Sequence, residues 1–204
     1  EALKNLFKKM IEENSLVSVM EFKKIITGNS LFQEYQNNQQ QDAGQFLMKV
    51  LQSIMDEFSS RNDDTISKLF CSTLVSRVHC HGCHKVFTNT NDHSSSIELP
   101  IVGNTLEQCM SNFFDYEELD KDRICRNCKI RGNASKYSLL GERPILITSL
   151  KRFNAQCQKI STKVTFPLEN LSLHKLMKEK SNVCSGTQYS LFAVINHFGK
   201  SSES

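Results

Sequence analysis

Two cysteine pairs of identical spacing constrain this chain more than any other feature. Cys80 and Cys83 form one C-x2-C pair, and Cys125 and Cys128 form the second. A tight turn with this spacing aims two sulfurs at one point, and two such turns supply the four ligands of a tetrahedral Zn²⁺ site. Gly82 lies inside the first turn, where a residue that tolerates a positive φ is favourable. We therefore predict one structural zinc ion bound by these four cysteines.

Two other interpretations of the cysteine pairs remain open. The four side chains also suit unpaired structural thiols, and one C-x-x-C pair also suits a redox motif. Two equally spaced pairs rarely arise by chance, which favours the metal site. The interval between Cys83 and Cys125 is longer than in a compact zinc ribbon. A bound ion would therefore join distant parts of a larger fold.

Composition narrows the class of protein. The chain has 204 residues, a net charge of +3 and eight cysteines. The small charge and the absence of a basic run argue against nucleic acid as a partner. No signal-peptide pattern or long apolar run indicates secretion or a membrane. We expect a reducing compartment, the cytoplasm or the nucleus. The chain lacks an initial Met and ends in a polar turn, so we interpret it as an internal fragment.

Hydrophobic periodicity predicts helices first and strands afterwards. Apolar residues recur at helical spacing near the start of the chain, before Gly28 and after Asp42. A further helix is predicted after a cap at Asn104 or Thr105. Alternating or continuous apolar runs predict strands at residues 69–80, 85–88, 96–100, 144–150, 163–167 and 189–197. This order predicts an α+β fold with a largely antiparallel sheet.

Residues 40–47, Gln-Gln-Asp-Ala-Gly-Gln-Phe-Leu, carry a more specific signal. With this segment the chain resembles the ubiquitin-specific proteases, a family of papain-like cysteine deubiquitinases. Further motifs follow in that family's order. They are the two cysteine pairs, the run at 144–153 that ends in Leu-Lys-Arg-Phe, Val-Thr-Phe-Pro at 164–167, and residues 189–199.

The resemblance implies a papain-like hand fold, truncated at both ends. Residues 1–60 would belong to the thumb helices. Residues 61–143 would form the fingers, with zinc at their tip, and residues 144–204 would supply strands of an antiparallel palm sheet. Ubiquitin would rest on palm and fingers, with its C-terminal tail between thumb and palm.

The same resemblance implies a partner and a reaction. The partners would be ubiquitin and ubiquitinated proteins, and the complete enzyme would cleave isopeptide or peptide bonds after ubiquitin's terminal glycine. Gln41, Asp42 and Gln45 would contact ubiquitin, with Asp42 binding its arginine-bearing tail. Gln45 stands where the family usually has Glu, which removes one charge. Asp42 and Gln45 also form the pattern of a capping box for the long helix, so a structural role for them stays equally open.

The catalytic residues of that family are missing from this sequence. The family carries its nucleophile in a Gly-Asn-Thr-Cys-like segment before the Gln-Gln-Asp motif, but no cysteine precedes Cys71 here. No Gly-His-Tyr segment supplies a general base. His197 is expected to be structural or to line the cleft. The cysteines outside the two pairs are expected to be buried, inert thiols: Cys71, Cys109, Cys157 and Cys184.

Three functional hypotheses follow from these observations. The chain is part of an active deubiquitinase, a catalytically dead ubiquitin-binding module, or a zinc-ribbon scaffold or nucleic-acid protein. The charge balance and the palm-type strands count against the third. By the family mechanism, this chain alone is predicted to be inactive.

Overall fold

The computed structural model describes residues 2–12, 19–37, 39–177 and 187–197. In this part of the chain the helices are α1 Ala2–Glu12, α2 Met20–Thr27, a 3₁₀ helix Ser30–Tyr35, α3 Ala43–Ser59, α4 Thr65–Phe70, α5 Leu106–Phe114 and α6 Leu173–Leu176. The strands are β1 Ser72–Cys80, β2 Val86–Ser94, β3 Ile97–Leu99, β4 Glu117–Glu118, β5 Ala134–Leu140, β6 Thr148–Leu150, β7 Leu171–Ser172 and β8 Gln188–Tyr189. The predicted α+β class is confirmed.

The chain divides into two compact units, and the boundary between Ser53 and Ile54 lies within α3. The first unit is helical. Its centre is an aromatic group in which Phe32 and Tyr35 of the 3₁₀ helix pack on Phe46 of α3, with ring centroids 5.9 and 5.0 Å from that of Phe46. Because Phe32 is only 3% exposed, this contact holds the start of α3 firmly in the unit.

The second unit contains the sheets. The largest has the strand order β2-β1-β5-β4, with antiparallel pairing throughout. β1 and β2 form the hairpin predicted across the first cysteine pair, with His79 opposite Val86. On its other side β1 pairs with β5, which places Cys80 opposite Ala134. The sheet thereby brings the end of β1 beside the segment that precedes β5, where the second cysteine pair lies.

The core of this unit lies between α5 and the strands around it. Thr105, one of the two residues predicted as the cap, caps α5. It forms a capping box with Gln108. The buried face of α5 packs against apolar residues of the neighbouring strands and of α6. These include Ile97, Leu99, Cys109, Met110, Phe114, Leu139, Leu140, Leu173 and Met177.

Several predicted strands are shorter than their apolar runs suggest. In the run at 144–150 only Thr148–Leu150 pairs, because Pro144 has no N–H and Ile145 donates its own N–H to the carbonyl of Leu69 (3.1 Å). Residues 69–70 of the predicted first strand belong to α4. The run at 163–167 contributes a single bridge at Thr165.

The predicted strand at 189–197 is also wrong over most of its length. Only Gln188–Tyr189 forms a strand, paired with Leu171–Ser172. The apolar residues that follow lie on the surface, and Phe192 is 81% exposed. An apolar run forms a ladder only where a second strand accepts its hydrogen bonds, and no described strand lies along residues 190–197.

Arg143 holds the polar centre of the unit together. Its side chain is only 3% exposed, and Nη1 donates to the carbonyls of Phe70 (2.7 Å) and Ser94 (2.6 Å). The hydroxyl of Tyr189 donates to the Arg143 carbonyl at 2.7 Å. Burial lowers the pKa of this guanidinium. One buried residue therefore joins the end of α4, the end of β2 and β8.

Candidate functional site

The two cysteine turns share one backbone pattern. The N–H of Cys80 donates to the carbonyl of Lys85 at 3.0 Å, and the N–H of Cys125 donates to that of Ile130 at 2.9 Å. The first cysteine of each pair is thus bonded to the residue five positions later. Two segments far apart in sequence therefore form the same knuckle, as the equal spacing predicts.

Each knuckle is closed by a residue with left-handed backbone. His84 follows the first pair with a φ of 57°, and Lys129 follows the second with a φ of 62°. Their N–H groups donate back to the carbonyls of Cys80 (2.8 Å) and Cys125 (3.1 Å). The sharp turn that directs both sulfurs to one side depends on this conformation.

Gly82 has a different role from the predicted one. Its φ lies outside the left-handed region, which in this turn is occupied by His84. A Cβ at Gly82 would lie 2.5 Å from Cδ1 of Ile130, which belongs to the second knuckle. A side chain at Gly82 would displace the end of the Ile130 side chain, so the glycine eases the contact between the two turns. The expectation of a positive φ is wrong.

The four predicted sulfurs lie together. The Sγ atoms of Cys80 and Cys128 are 3.7 Å apart, and those of Cys83 and Cys125 are 3.8 Å apart. All four Sγ atoms lie within 4.8 Å of one another. A zinc ion that binds four thiolates at about 2.3 Å places its sulfurs about 3.8 Å apart. Two of the six sulfur–sulfur distances match this value and the others are at most 4.8 Å, so the cluster is compatible with a single tetrahedral zinc ion.

The protein environment stabilises the thiolate form of some of these cysteines more than that of others. The backbone N–H of Cys128, with that of Asn127, points to the sulfur of Cys125 and lowers its pKa to about 6. The N–H of Ile130 favours the Cys128 thiolate, but desolvation and the three neighbouring sulfurs outweigh it and raise the pKa of Cys128 to about 12. Four adjacent thiolates need a cation, and a divalent metal would supply that charge.

Gly132 follows the second knuckle and packs closely against the chain segment that precedes this knuckle. Its φ is 62°, and a Cβ there would lie 2.9 Å from Cα of Lys121 and closer still to the Lys121 carbonyl oxygen. Its N–H donates to the carbonyl of Arg123 at 2.8 Å. No side chain fits here without moving backbone atoms.

Replacement of Gly132 by alanine is therefore expected to destabilise the second knuckle by about 2 kcal/mol or more, since left-handed backbone alone costs about 1–2 kcal/mol. Urea unfolding of the purified protein measures the loss. Gly141→Ala is the matched control, because the nearest atom to a Cβ at Gly141 lies 3.5 Å away. Equal stability of the two variants would contradict this assignment.

The predicted ubiquitin-contacting segment begins α3 and belongs to the first compact unit. Oδ1 of Asp42 accepts a hydrogen bond from the N–H of Gln45 at 2.9 Å, so Asp42 caps the helix. A Cβ at Gly44 would lie 3.0 Å from the same Oδ1, so the glycine leaves room for the cap. The side chains of Asp42 and Gln45 are exposed. Capping leaves the second carboxylate oxygen of Asp42 available to a partner.

Gln41 is fixed by its own contacts. Nε2 of Gln41 donates to the carbonyl of Glu34 at 3.0 Å and lies 3.5 Å from Oδ1 of Asn37. Glu34 in turn pairs with Lys49 at 2.7 Å. Gln41 therefore ties the loop before α3 to the 3₁₀ helix. The four cysteines lie in the second unit, so the two sets of predicted residues occupy different units.

The other thiols differ in exposure. Cys109 is buried, and Cys71 is half-buried with its Sγ 3.3 Å from Sδ of Met55. Burial raises the pKa of Cys71, as expected of an inert thiol. Cys157 is exposed on a left-handed turn with a φ of 57°, so its predicted burial is wrong. Cys184 lies outside the described residues.

His197 contacts Lys159 and Phe153. Its Nδ1 lies 2.9 Å from Nζ of Lys159, and its ring packs edge-on against Phe153 with centroids 5.7 Å apart. These contacts suit a structural role, and a cleft-lining role stays a prediction. The sequence reasoning overlooked His79, His81 and His84, although their alternation with the first cysteine pair is visible in the sequence.

A family model described as ubiquitin carboxyl-terminal hydrolase matches residues 1–204. Ubiquitin carboxyl-terminal hydrolase 20 of Arabidopsis thaliana is 32% identical over 177 residues, which cover 82% of this chain and 25% of that protein. Ubiquitin carboxyl-terminal hydrolase 2 of Gallus gallus is 32% identical over 153 residues, which cover 70% of this chain and 42% of that protein. The chain thus spans less than half the length of these relatives.

A solved structure is also similar to this one. The SAGA Ubp8/Sgf11/Sus1/Sgf73 DUB module, bound to ubiquitin aldehyde, contains a chain that matches with a TM-score of 0.74 at 20% identity. The match covers 90% of this chain and 44% of that one. It shows that the two chains share a fold. Among the described residues, no helix has both the length and the apolar character needed to cross a bilayer.

Proposed function

This chain belongs to the ubiquitin carboxyl-terminal hydrolase family, and from that premise we propose that it is the ubiquitin-binding part of a deubiquitinase domain. The observation that carries the proposal is the family match over the whole chain. The fold shared with a module bound to ubiquitin aldehyde supports it. In the complete protein, the domain would cleave isopeptide or peptide bonds after ubiquitin's C-terminal glycine and act on ubiquitinated proteins.

The proposed metal is one structural Zn²⁺. Two sulfur–sulfur distances of 3.7 and 3.8 Å support it, as does the common backbone pattern of the two knuckles. A bound zinc ion supplies the positive charge that lets all four cysteines be thiolates at once. Four protein ligands leave no open position for water on the ion. The proposed zinc would therefore hold the two knuckles together and would not catalyse a reaction.

Hydrolysis requires residues beyond those described above. No cysteine precedes Cys71, and the half-buried Cys71 has a raised pKa and a methionine neighbour in place of a histidine base. We therefore propose that this chain by itself binds ubiquitin without cleaving its conjugates. A catalytically dead ubiquitin-binding module is the second candidate, and the contacts of Cys71 and Cys109 favour it, because their sulfurs lie beside Met55 and the Val102 carbonyl.

Asp42 is proposed to bind the cationic tail of ubiquitin. Its Oδ1 is occupied by the helix cap, and the exposed remainder of the carboxylate suits a charge-assisted hydrogen bond from an arginine. Gln41 and Gln45 are proposed as its neutral neighbours in the same contact. The free state of the described cysteines supports a reducing compartment, the cytoplasm or the nucleus.

Two substitutions of Asp42 distinguish its role as a helix cap from the proposed role of its negative charge in binding ubiquitin. Asp42→Asn keeps a good capping oxygen and should leave stability unchanged, whereas Asp42→Ala should lose about 1 kcal/mol. Both should weaken ubiquitin binding by roughly tenfold, the usual contribution of a hydrogen bond to a charged group. Biolayer interferometry against immobilised ubiquitin measures the affinity, and thermal unfolding measures the stability.

Asp56→Asn provides a matched control, because Asp56 is an exposed carboxylate elsewhere on α3. It should bind ubiquitin like the unmodified chain. Wild-type affinity in Asp42→Asn would show that the charge is unused and that Asp42 is a helix cap alone. Ubiquitin lacking its C-terminal tail should bind the unmodified chain and Asp42→Asn equally.

A further inference from the structure

The buried side chain of Arg143 has hydrogen-bond donors that its surroundings leave unused. Nη1 donates to the carbonyls of Phe70 and Ser94, at 2.7 and 2.6 Å. Within the described part of the chain, Nε and Nη2 have no hydrogen-bond partner, although both atoms are shielded from solvent. Buried donors of this kind are rare in folded proteins, and a bound ion or water molecule commonly accounts for them.

The two unused nitrogen atoms belong to the same edge of the guanidinium group. This group is planar and rigid, so the N–H bonds of Nε and Nη2 point in parallel to one side of it. Covalent geometry alone therefore directs both donors to one acceptor, without any change of conformation. Arginine binds carboxylates and other anions with such pairs of parallel N–H groups.

The positive charge of Arg143 is not neutralised by the residues around it. Burial lowers the pKa of the guanidinium, but arginine stays protonated in proteins. Among the described residues, no carboxylate forms an ion pair with it. The adjacent Glu142 directs its two oxygens to the N–H and the hydroxyl of Thr187, at 3.1 and 2.6 Å.

Two other titratable groups, Cys71 and Tyr189, act on Arg143 electrostatically. Burial raises the pKa of the Cys71 thiol, which keeps it neutral. The Tyr189 hydroxyl keeps its proton and donates it to the Arg143 carbonyl at 2.7 Å. Neither group therefore supplies a negative charge. Buried charges in proteins are normally paired, because an unpaired one is costly to remove from water.

A second buried side chain in this region also has an unused polar atom. Ser72 is 7% exposed, and its Oγ has no hydrogen-bond partner among the described residues. Ser72 lies opposite Ser94 in the β1–β2 ladder and two positions after Phe70. Those are the two residues whose carbonyls accept from Arg143. The Ser72 hydroxyl is thus a further donor in the same polar region.

We propose that the edge of Arg143 formed by Nε and Nη2 binds one small monovalent anion, such as chloride, with the Ser72 hydroxyl as an additional donor. The ion would accept both N–H groups and neutralise the guanidinium. A water molecule would accept the same hydrogen bonds but would leave the charge unpaired. Because Arg143 joins the ends of α4 and β2, the ion would stabilise the second unit. The proposal is independent of ubiquitin and of zinc.

The dependence of stability on chloride tests this proposal. The unmodified protein is unfolded with urea at constant ionic strength, while chloride replaces the larger anion isethionate. If unfolding releases one bound ion, the unfolding equilibrium constant should fall about tenfold for each tenfold rise in chloride above its Kd. Arg143→Lys keeps the charge but removes the paired N–H groups, so it should lose this dependence. Arg61→Gln is the matched control and should retain it, because Arg61 is exposed and pairs with Glu57.

A crystal of the unmodified protein soaked in bromide decides the matter if Arg143→Lys does not fold. The anomalous signal of bromide should place one ion in hydrogen-bond contact with Nε and Nη2 of Arg143. A water molecule there without a bromide signal would overturn the proposal, as would equal stability in chloride and isethionate. Unchanged chloride dependence in folded Arg143→Lys would overturn it too. Bromide at this position without chloride-dependent stability would be binding at crystal concentration only, which also contradicts it.

Discussion

Replacement of Cys80 by serine is expected to release the proposed zinc ion and to unfold the two knuckles. Cys80 is only 1% exposed, its N–H donates to the Lys85 carbonyl, and it ends β1 opposite Ala134. The loss therefore affects a ligand, a turn and a strand end together. Structural zinc sites contribute about 10–16 kcal/mol of apparent binding free energy to folding. A hydroxyl in place of one thiolate removes a large part of it.

Metal analysis and denaturant unfolding measure this effect together. The unmodified protein should contain one zinc per chain, and Cys80→Ser should contain almost none and unfold at a much lower urea concentration. Cys157→Ser is the matched control, because that thiol is exposed and distant in sequence from both pairs. Full zinc content in Cys80→Ser, or none in the unmodified and fully reduced protein, would contradict a four-cysteine site.

The second prediction with a large expected effect is that this chain alone does not catalyse hydrolysis. A fluorogenic ubiquitin conjugate mixed with this chain should be hydrolysed no faster than in buffer alone. A cysteine hydrolase needs a thiolate that an adjacent histidine activates. Of the described thiols outside the cluster, Cys109 is buried with its Sγ 3.4 Å from the Val102 carbonyl. Burial also raises the pKa of Cys71, and Cys157 lies in an exposed turn.

Thiol alkylation provides the control for this prediction. Any trace hydrolysis should persist after treatment with iodoacetamide, because it would come from a contaminant or from the buffer. Turnover that is robust and is abolished by alkylation would show that one of these cysteines is a nucleophile. Substitution of each cysteine outside the two pairs in turn would then identify it: Cys71, Cys109, Cys157 and Cys184.

Local chemistry made several elements predictable. The equal spacing of the cysteine pairs led to the two knuckles, and the alternating pattern on either side of the first pair led to the β1–β2 hairpin. The cap of α5 was predicted at Asn104 or Thr105 because both residue types favour that position, and the structure has it at Thr105. Each of these features depends on residues close in sequence.

The errors arise where distant segments decide the outcome. The apolar run before Leu150 has the composition of a buried strand, yet Ile145 donates its N–H to Leu69, 76 positions earlier in the chain. The contact at Gly82 comes from the side chain of Ile130, which belongs to the other knuckle. Periodicity within one segment contains no information about such contacts.

The surroundings of three histidines also depend on a segment that is distant in sequence. His79, His81 and His84 are close in sequence, but nothing local shows that Glu118 is brought to the same face through Ser135. The helix cap at Asp42 was predicted on local grounds and is observed. Whether the same carboxylate binds a partner depends on a molecule that is not part of the chain.

The central claim, that this chain binds ubiquitin, is tested most directly by NMR spectroscopy of ¹⁵N-labelled ubiquitin. Zinc-loaded protein added stepwise should shift or broaden the amide signals of one contiguous surface of ubiquitin and of its C-terminal tail. Cys80→Ser should weaken the effect, and Asp42→Asn should reduce it at the tail. A ubiquitin spectrum that stays unchanged at saturating concentrations of folded, zinc-loaded protein would contradict the account.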